Sequence, residues 1–146
     1  MKEDRHSILV NGRAREASLE IIRWGEALWW PSRSLMRFVR LGENPVRTGT
    51  RYRQQVLLPF APSWDVEVEE ITQESITRRF LNGMFRGKET VSLRPSGAAL
   101  EISYAMTYEV RGFVNKILWR LIFRRLHDRN IEEILANLKK YLEKRE

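Results

Sequence analysis

The chain is 146 residues long, and its 26 Lys and Arg residues against 19 Asp and Glu residues give a formal net charge of +7. This length predicts one domain, residues 1–146, with enough buried surface for a hydrophobic core or for a core with a cavity. The hydrophobic content of 42% excludes a wholly disordered chain, and the absence of cysteine excludes disulfides, thiolate metal sites and a cysteine nucleophile.

The N-terminal third of the sequence predicts a strand, two short helices and a second strand. Residues 6–11 alternate as a short strand, and residues 14–24 are rich in helix-forming residues. Pro31 interrupts this pattern, and Ser32 can cap a second short helix that extends through Met36. Residues 38–41 then predict a strand that ends at Gly42.

A period of two residues dominates the middle of the chain and predicts strands. The strands cover residues 50–58, 64–71, 75–82, 85–94 and 98–110, with turns at Pro59, Pro62, Asn82-Gly83 and Pro95-Ser96-Gly97. With residues 38–41 they make about six consecutive strands joined by short turns. This pattern predicts an antiparallel meander with one buried face and one polar face.

Residues 113–144 predict a helix whose two halves have different apolar faces. In the first half, Lys116, Arg120, Arg124 and His127 form one polar stripe. From Ile131 onwards, apolar residues occupy the side of the helix that this stripe held before. Since a straight helix cannot turn both faces to one sheet, we predict a kink or break at residues 128–130. Asn130 and Glu133 match an N-cap and its capping-box partner.

Three segments of the sequence carry a resemblance to a known family. They are Trp29-Trp30-Pro31, the strand entry Gly49-Thr50-Arg51-Tyr52, and the tail from residue 133 to residue 143. Together with the order of elements, β-α-α-β6-α, they resemble the START-like (helix-grip, SRPBCC) superfamily. Within it the chain is most similar to the bacterial polyketide cyclase/dehydrase and lipid-transport group. The resemblance covers nearly the whole chain. It implies an α+β fold in which a curved antiparallel sheet of about seven strands wraps around a long C-terminal helix.

The resemblance also implies an apolar ligand pocket between the sheet and the C-terminal helix. The residues expected to line it are Tyr52, Gln54, Trp64, Val66, Val68, Arg78, Phe80, Glu89, Val91, Ile102, Tyr104, Met106, Tyr108, Ile117 and Leu121. A packed core is the alternative for the aliphatic members.

Several residues on the inward faces of the strands are polar, and these favour a wet cavity. Buried charges must be paired or neutralised, and Arg78 and Glu89 lie on strands that should be neighbours, which allows a buried ion pair. Glu70 also has the inward parity. Local β-bulges that turn these side chains outward are the alternative.

We expect the pocket to bind a hydrophobic small molecule or lipid, as a carrier or sensor. The alternative is a polyketide cyclase-like, non-redox enzyme that uses the same cavity, with Glu89 and Arg78 as candidate catalytic residues for acid–base chemistry. No phosphate-binding glycine loop and no serine nucleophile elbow are present in the sequence.

The basic first half of the C-terminal helix is a second candidate site. Lys116, Trp119, Arg120, Phe123 and Arg124 predict a surface for an anionic membrane or a protein partner. A dimer interface, or arginines that lie over core residues, are the alternatives. A module that binds the ribosome, nucleic acid or a membrane remains a third function. Nucleic acid is disfavoured because aromatic residues do not alternate with basic ones on a sheet face. A monomer and a homodimer are both compatible with the sequence.

Metal and cofactor binding are not expected from the sequence. His6 and His127 are the two histidines, too few for a histidine-based metal site or a proton relay. No apolar run reaches about 18 residues and no signal-peptide pattern opens the chain, so we expect a soluble, cytoplasmic protein.

Overall fold

The fold is a seven-stranded antiparallel sheet with helices against one of its faces. The structure is a computed structural model and describes residues 1–59 and 61–144. In chain order its elements are β1 (Lys2–Val10), α1 (Ala14–Ile22), β2 (Met36–Leu41), β3 (Arg51–Val56), β4 (Ser63–Ile71), β5 (Ser75–Phe80), β6 (Phe85–Ser96), β7 (Ala99–Val110), α2 (Phe113–Leu118), a π-helical turn (Trp119–Phe123) and α3 (Arg124–Glu143).

The sheet follows the chain as a meander from β2 to β7. Its strand order is β1-β7-β6-β5-β4-β3-β2, and every neighbouring pair is antiparallel. The first strand therefore pairs with the last one and lies at the edge of the sheet. The predicted α+β architecture and the antiparallel meander are confirmed.

The period of two correctly predicts which strand residues face the core. In β7, for example, Ile102, Tyr104, Met106 and Tyr108 are all buried, whereas Glu101 and Thr107 are not. Glu70 is an exception, because the register of β4 shifts between Val68 and Glu70 and turns the Glu70 side chain to solvent. A β-bulge of this kind adds one residue to one strand and reverses the alternation beyond it.

The second predicted short helix, from Ser32 to Met36, is wrong. Residues 23–35 form a series of turns between α1 and β2 instead. Side-chain contacts hold this segment: Trp29 Nε1 donates to Glu20 Oε2 at 2.7 Å, and Trp30 Nε1 donates to the Met36 carbonyl at 3.2 Å. Since Pro31 restricts the backbone of Trp30, the segment cannot easily continue as a helix.

The C-terminal helix does change its buried face, but the break predicted at residues 128–130 is wrong. The helix continues through this region, and its irregularity is the π-helical turn Trp119–Phe123. A π turn inserts one extra residue, which rotates the following faces by about 100°. Asn130 is therefore not an N-cap: its side chain is buried, and its Oδ1 accepts hydrogen bonds from Ser34 Oγ at 3.1 Å and from the Leu35 amide at 3.2 Å.

The two halves of this helix differ sharply in burial. The side chains of α3 that face the core are Asn130, Ile131, Ile134, Leu135, Leu138 and Leu142. In contrast, α2 has no buried residue, and Trp119 is the buried residue of the π turn. The core thus holds the second half of the helix and leaves most of the first half exposed. No helix in the described part of the chain is long and apolar enough to cross a lipid bilayer.

Candidate functional site

An apolar cleft lies between the C-terminal helix and the β2–β4 side of the sheet. Its lining residues are Leu35, Met36, Val56, Pro62, Trp64, Met84, Trp119, Phe123, Leu126, His127 and Asn130. The resemblance implies a pocket between sheet and helix, and this cleft lies between them, but of the expected lining residues in the described part of the chain it contains Trp64 alone. Its enclosed volume is about 30 Å³, which is space for one or two water molecules and not for a lipid chain.

Aromatic side chains fill most of the space predicted to be a pocket. Trp24 is fully buried, stacks on Tyr104 with ring centroids 5.8 Å apart, and contacts Trp29 and Trp30 edge-on at 6.0 and 5.5 Å. These three tryptophans all come from the turns that follow α1. The part of the sheet in contact with them is therefore packed as a core.

The predicted sheet residues face inward, as expected. Those with a relative exposure of 6% or less are Tyr52, Gln54, Trp64, Val66, Val68, Arg78, Phe80, Glu89, Val91, Ile102, Tyr104, Met106 and Tyr108. Trp64 is the member of this set that lines the apolar cleft. For the others, contact with a ligand stays a prediction.

The prediction of which side of the first half-helix lines the pocket is wrong. Ile117 and Leu121, predicted to line the pocket, are 41% and 67% exposed. Trp119 and Phe123, predicted to be surface residues, line the cleft instead, and Trp119 is only 5% exposed. The π turn causes this exchange of buried and exposed residues. Its extra residue changes the direction in which neighbouring side chains point, compared with a regular α-helix.

Trp119 is held by the core more firmly than any other residue of the first half-helix. Its Nε1 donates a hydrogen bond to the Tyr108 hydroxyl at 3.1 Å, and its ring lies edge-on to Phe85 with centroids 4.9 Å apart. On its other side, Trp119 also lines an open groove of about 580 Å³. The predicted basic residues Lys116, Arg120 and Arg124 line the same groove and are exposed. Trp119 thus separates an apolar cleft from a basic groove.

A hydrogen-bonded chain of polar side chains crosses the buried face of the sheet. Trp64 Nε1 donates to Gln54 Oε1 at 2.6 Å, and Gln54 Nε2 donates to Glu89 Oε1 at 2.6 Å. The other carboxylate oxygen of Glu89 accepts from the Tyr104 hydroxyl at 2.8 Å. Burial raises the pKa of Glu89, while the charge of Arg78 and these two hydrogen bonds oppose that rise. Burial likewise raises the pKa of the Tyr104 hydroxyl well above its usual value.

Arg78 lies opposite Glu89 in the β5–β6 register. The direct ion pair predicted between them does not form in the part of the chain that the structure describes. Arg78 is 1% exposed and donates from Nη2 to the Trp24 carbonyl at 2.9 Å. Its guanidinium lies 4.8 Å from the Tyr52 ring centroid, and its Nε and Nη1 have no hydrogen-bond partner. The pair interacts through charge across the core. Neither residue is among those lining the apolar cleft, so their assignment as catalytic residues stays a prediction that this geometry does not support.

The two histidines lie together beside Asp4, which the sequence pattern does not predict. Asp4 and His6 occupy the inward face of β1, and His127 and Asp128 lie opposite them on α3. One ligand atom each from Asp4, His6 and Asp128 lies within 4.8 Å of the others, so this group could hold a metal ion. The missed signal was the alternation of Asp4 and His6, because the strand was predicted to start only at residue 6.

The titration behaviour of this group follows from its partial burial. Burial and the nearby Asp128 raise the pKa of Asp4 to about 6. Burial opposes ionisation of Asp128 too, but its hydrogen bonds with Asp4 and His6 outweigh that effect and lower its pKa. Burial lowers the pKa of His127 to about 4, so its imidazole is neutral at pH 7.

The coupling of Arg78 to Glu89 is testable by unfolding measurements. Arg78→Met removes the buried cation but leaves the buried carboxylate, and we expect it to lower the free energy of unfolding by about 3–5 kcal/mol. The double variant Arg78→Met/Glu89→Gln removes both charges and should be more stable than Arg78→Met alone. Urea denaturation of the variants measures these differences.

Arg79→Met is the matched control, since Arg79 is on the opposite, exposed face and pairs with Glu67 at 3.0 Å. An exposed pair contributes about 0–1 kcal/mol, so this change should be nearly neutral. Strictly additive losses in the double variant would show that Arg78 and Glu89 are not coupled.

Comparisons with known proteins identify the fold. No protein-family profile and no curated protein match the sequence. A START superfamily protein from Mycobacterium smegmatis is 13% identical with a TM-score of 0.70, and the match covers 99% of each chain. The di-domain ARO/CYC StfQ of the steffimycin biosynthetic pathway is 17% identical with a TM-score of 0.71, and the match covers 98% of this chain and 51% of that one. A norcoclaurine synthase point mutant from Thalictrum is 16% identical with a TM-score of 0.68, covering 97% of this chain and 93% of the synthase. At these identities the likeness concerns the fold, and the chain has the START-like helix-grip fold.

Proposed function

We propose that the protein binds a hydrophobic small molecule or lipid in the apolar cleft, as a carrier or sensor. The observation that carries this proposal is the chemistry of the cleft wall. The wall is almost entirely apolar, and Asn130, which lies in it, has a buried Nδ2 without a hydrogen-bond partner. Ligand sites typically combine apolar walls with a few polar groups that orient the ligand. Asn130 Nδ2 is a donor suited to a carbonyl, hydroxyl or carboxylate oxygen.

A ligand larger than a few atoms requires the cleft to open. We define the arm as residues 113–123, the part of the C-terminal helix before α3. Within the arm, Trp119 is buried and Phe123 is partly buried, whereas Phe113, Val114, Ile117, Leu118, Leu121 and Ile122 are exposed. Few buried apolar contacts mean a low cost of local opening. Outward movement of the arm at Trp119 and Phe123 would widen the cleft.

The charge around the arm favours a ligand with an anionic end. Lys116, Arg120 and Arg124 line the groove on the far side of Trp119, whereas the cleft on the near side is apolar. If Trp119 moves, the two depressions become continuous. An amphiphile such as a fatty acid could then place its carboxylate against the basic residues and its chain in the cleft.

The exposed surface of the arm suits contact with an anionic bilayer. Its apolar side chains include Phe113 and Leu121, which are 78% and 67% exposed, and basic residues flank them. Helices with exposed apolar and basic residues bind to the interface of anionic membranes without crossing them. We propose that the arm collects ligand from such a surface.

Ligand binding can be tested with a pair of amphiphiles that differ in charge. Native mass spectrometry of the protein mixed with oleate or with oleyl alcohol should detect a one-to-one complex, tighter for oleate. Val56→Phe places extra volume in the cleft and should weaken binding of both compounds by about tenfold or more, since overfilling a packed site costs about 1–3 kcal/mol. Arg120→Ala combined with Arg124→Ala should weaken oleate binding only.

Val39→Phe is the matched control, because it adds the same volume at an exposed residue of β2 that is outside the arm and lines neither the cleft nor the basic groove. We expect it to bind like the unmodified protein. Absence of a complex with either amphiphile, or equal binding by Val56→Phe and Val39→Phe, would refute binding in this cleft.

Membrane contact is tested separately by vesicle flotation. The protein should float with vesicles of phosphatidylcholine and phosphatidylglycerol, and stay unbound with phosphatidylcholine alone. Leu121→Glu puts a negative charge on the arm and should reduce flotation several-fold, whereas Leu28→Glu, at a fully exposed residue in the turns after α1, should not. Flotation that is insensitive to lipid charge or to Leu121→Glu would contradict the role of the arm and would leave the cleft proposal unaffected.

A further inference from the structure

A group of imidazoles and carboxylates joins the first strand to the C-terminal helix. Asp4 and His6 project from the inward face of β1, and His127, Asp128 and Glu132 lie within the first nine residues of α3. This group borders the Glu89 network, because the His127 ring lies 5.8 Å from the ring of Tyr104. Of the five residues, His127 is the one that lines the apolar cleft. Neither the fold nor the proposed lipid binding requires such a collection of side chains at this position.

The distances within this group match those between the ligands of a small divalent ion. His6 Nε2 lies 3.3 Å from both carboxylate oxygens of Asp4 and 3.1 Å from Asp128 Oδ1. Zinc binds histidine nitrogen and carboxylate oxygen at about 2.0–2.2 Å, so two ligands of a tetrahedral site are about 3.3 Å apart. His6 Nε2 is thus as far from each carboxylate as two ligands of one metal ion would be, and the three donor atoms all lie within 4.8 Å of one another.

His127 provides an independent indication that the group can hold a cation. Its side chain is 10% exposed, and its Nε2 is buried with no hydrogen-bond partner. This nitrogen lies 3.7 Å from Asp4 Oδ2, too far for a hydrogen bond but in the direction of the carboxylate. A buried ring nitrogen without a partner is costly unless something binds it. His127 is not among the three residues whose donor atoms lie within 4.8 Å of one another. A shift of its ring toward Asp4 would bring this nitrogen to the ion as a fourth ligand.

The Glu132 carboxylate lies close enough to His6 to hold its ring in place as a metal ligand. Its Oε1 lies 3.6 Å from Nδ1 of His6, while Nε2 of the same ring faces Asp4 and Asp128. Metal-bound histidines usually donate their second ring N–H to a carboxylate or carbonyl, which fixes the ring and its tautomer. A modest movement of the exposed Glu132 side chain would form that hydrogen bond.

We propose that Asp4, His6 and Asp128 bind one divalent transition-metal ion of the zinc class, and that His127 becomes the fourth ligand when its ring moves toward Asp4. Two imidazoles and two carboxylates form a nitrogen and oxygen donor set that suits zinc, and the absence of cysteine excludes a softer thiolate site. Such an ion would link β1 to α3 close to the π turn. It would fix the base of the arm to the edge strand of the sheet. This proposal does not depend on lipid binding.

Titration of untagged protein with Zn²⁺ against a chromophoric chelator is the direct test. We expect one Zn²⁺ per chain, with a dissociation constant on the order of 1 µM or below. Binding to the native state should raise the melting temperature by about 5 °C, and Mg²⁺ should not do so. Co²⁺ should give the intense visible absorption of a tetrahedral site.

Variants locate the ion. Asp128→Asn and Asp4→Asn keep the side-chain shape but lose a ligand charge, and each should weaken Zn²⁺ binding by about 100-fold or more; Glu132→Gln should weaken it by about tenfold. Glu133→Gln changes an exposed carboxylate on the same helix and should have no effect. Circular dichroism selects the variants that fold. Lack of Zn²⁺ binding, or unchanged affinity in either folded Asp variant, would overturn the proposal.

Discussion

One continuous helix has to cover one face of the sheet, although the sequence places its apolar residues on two different sides. The π turn Trp119–Phe123 reconciles these requirements by shifting the residue pattern of the helix by one position. Behind the turn, the apolar side chains of α3 pack into the core. In α2 no residue is buried, and in the turn itself Trp119 is buried and Phe123 partly buried, while the other apolar side chains of residues 113–123 are exposed. The cleft, the basic groove and the arm all exist because the helix changes at this point.

The packing of the core explains why the cleft is confined to one end of the sheet. Trp24, Trp29 and Trp30 occupy the space against Tyr104, where a larger pocket was expected. The Arg78 guanidinium is buried beneath them, in contact with the Tyr52 ring and the Trp24 carbonyl. Removing a residue from such a core would cost several kcal/mol. Space for a ligand is therefore more easily made at the arm, where few residues are buried.

The fold was predictable from the sequence because the strand signals are local. Alternation of apolar and polar residues places the strands and gives the inward face of β7 from Ile102 to Tyr108. The wrong predictions have physical causes that cannot be seen in a local sequence pattern. The bulge at Glu70 and the π turn each insert one residue, which changes every later orientation. The second short helix fails because tertiary hydrogen bonds of Trp29 and Trp30 outweigh its weak helical signal.

The candidate site was less predictable, because its residues meet only through tertiary structure. His6 and Asp128 are separated by 122 positions and come together only when β1 pairs with β7 beside α3. Similarly, Trp119 and Phe123 line the cleft although a regular helix would direct them elsewhere. By composition, two histidines are too few for a histidine-based metal site. In the fold, however, both of them lie beside Asp4.

Opening of the arm while α3 stays packed is measured directly by amide hydrogen exchange. We expect amides of residues 113–123 to exchange much faster than those of residues 131–142, since only α3 is held by a buried apolar face. Addition of oleate should slow exchange in the arm and along the cleft strands β2 to β4, with little change in α3. Equal protection of the two halves, with no effect of oleate on the arm, would contradict the account.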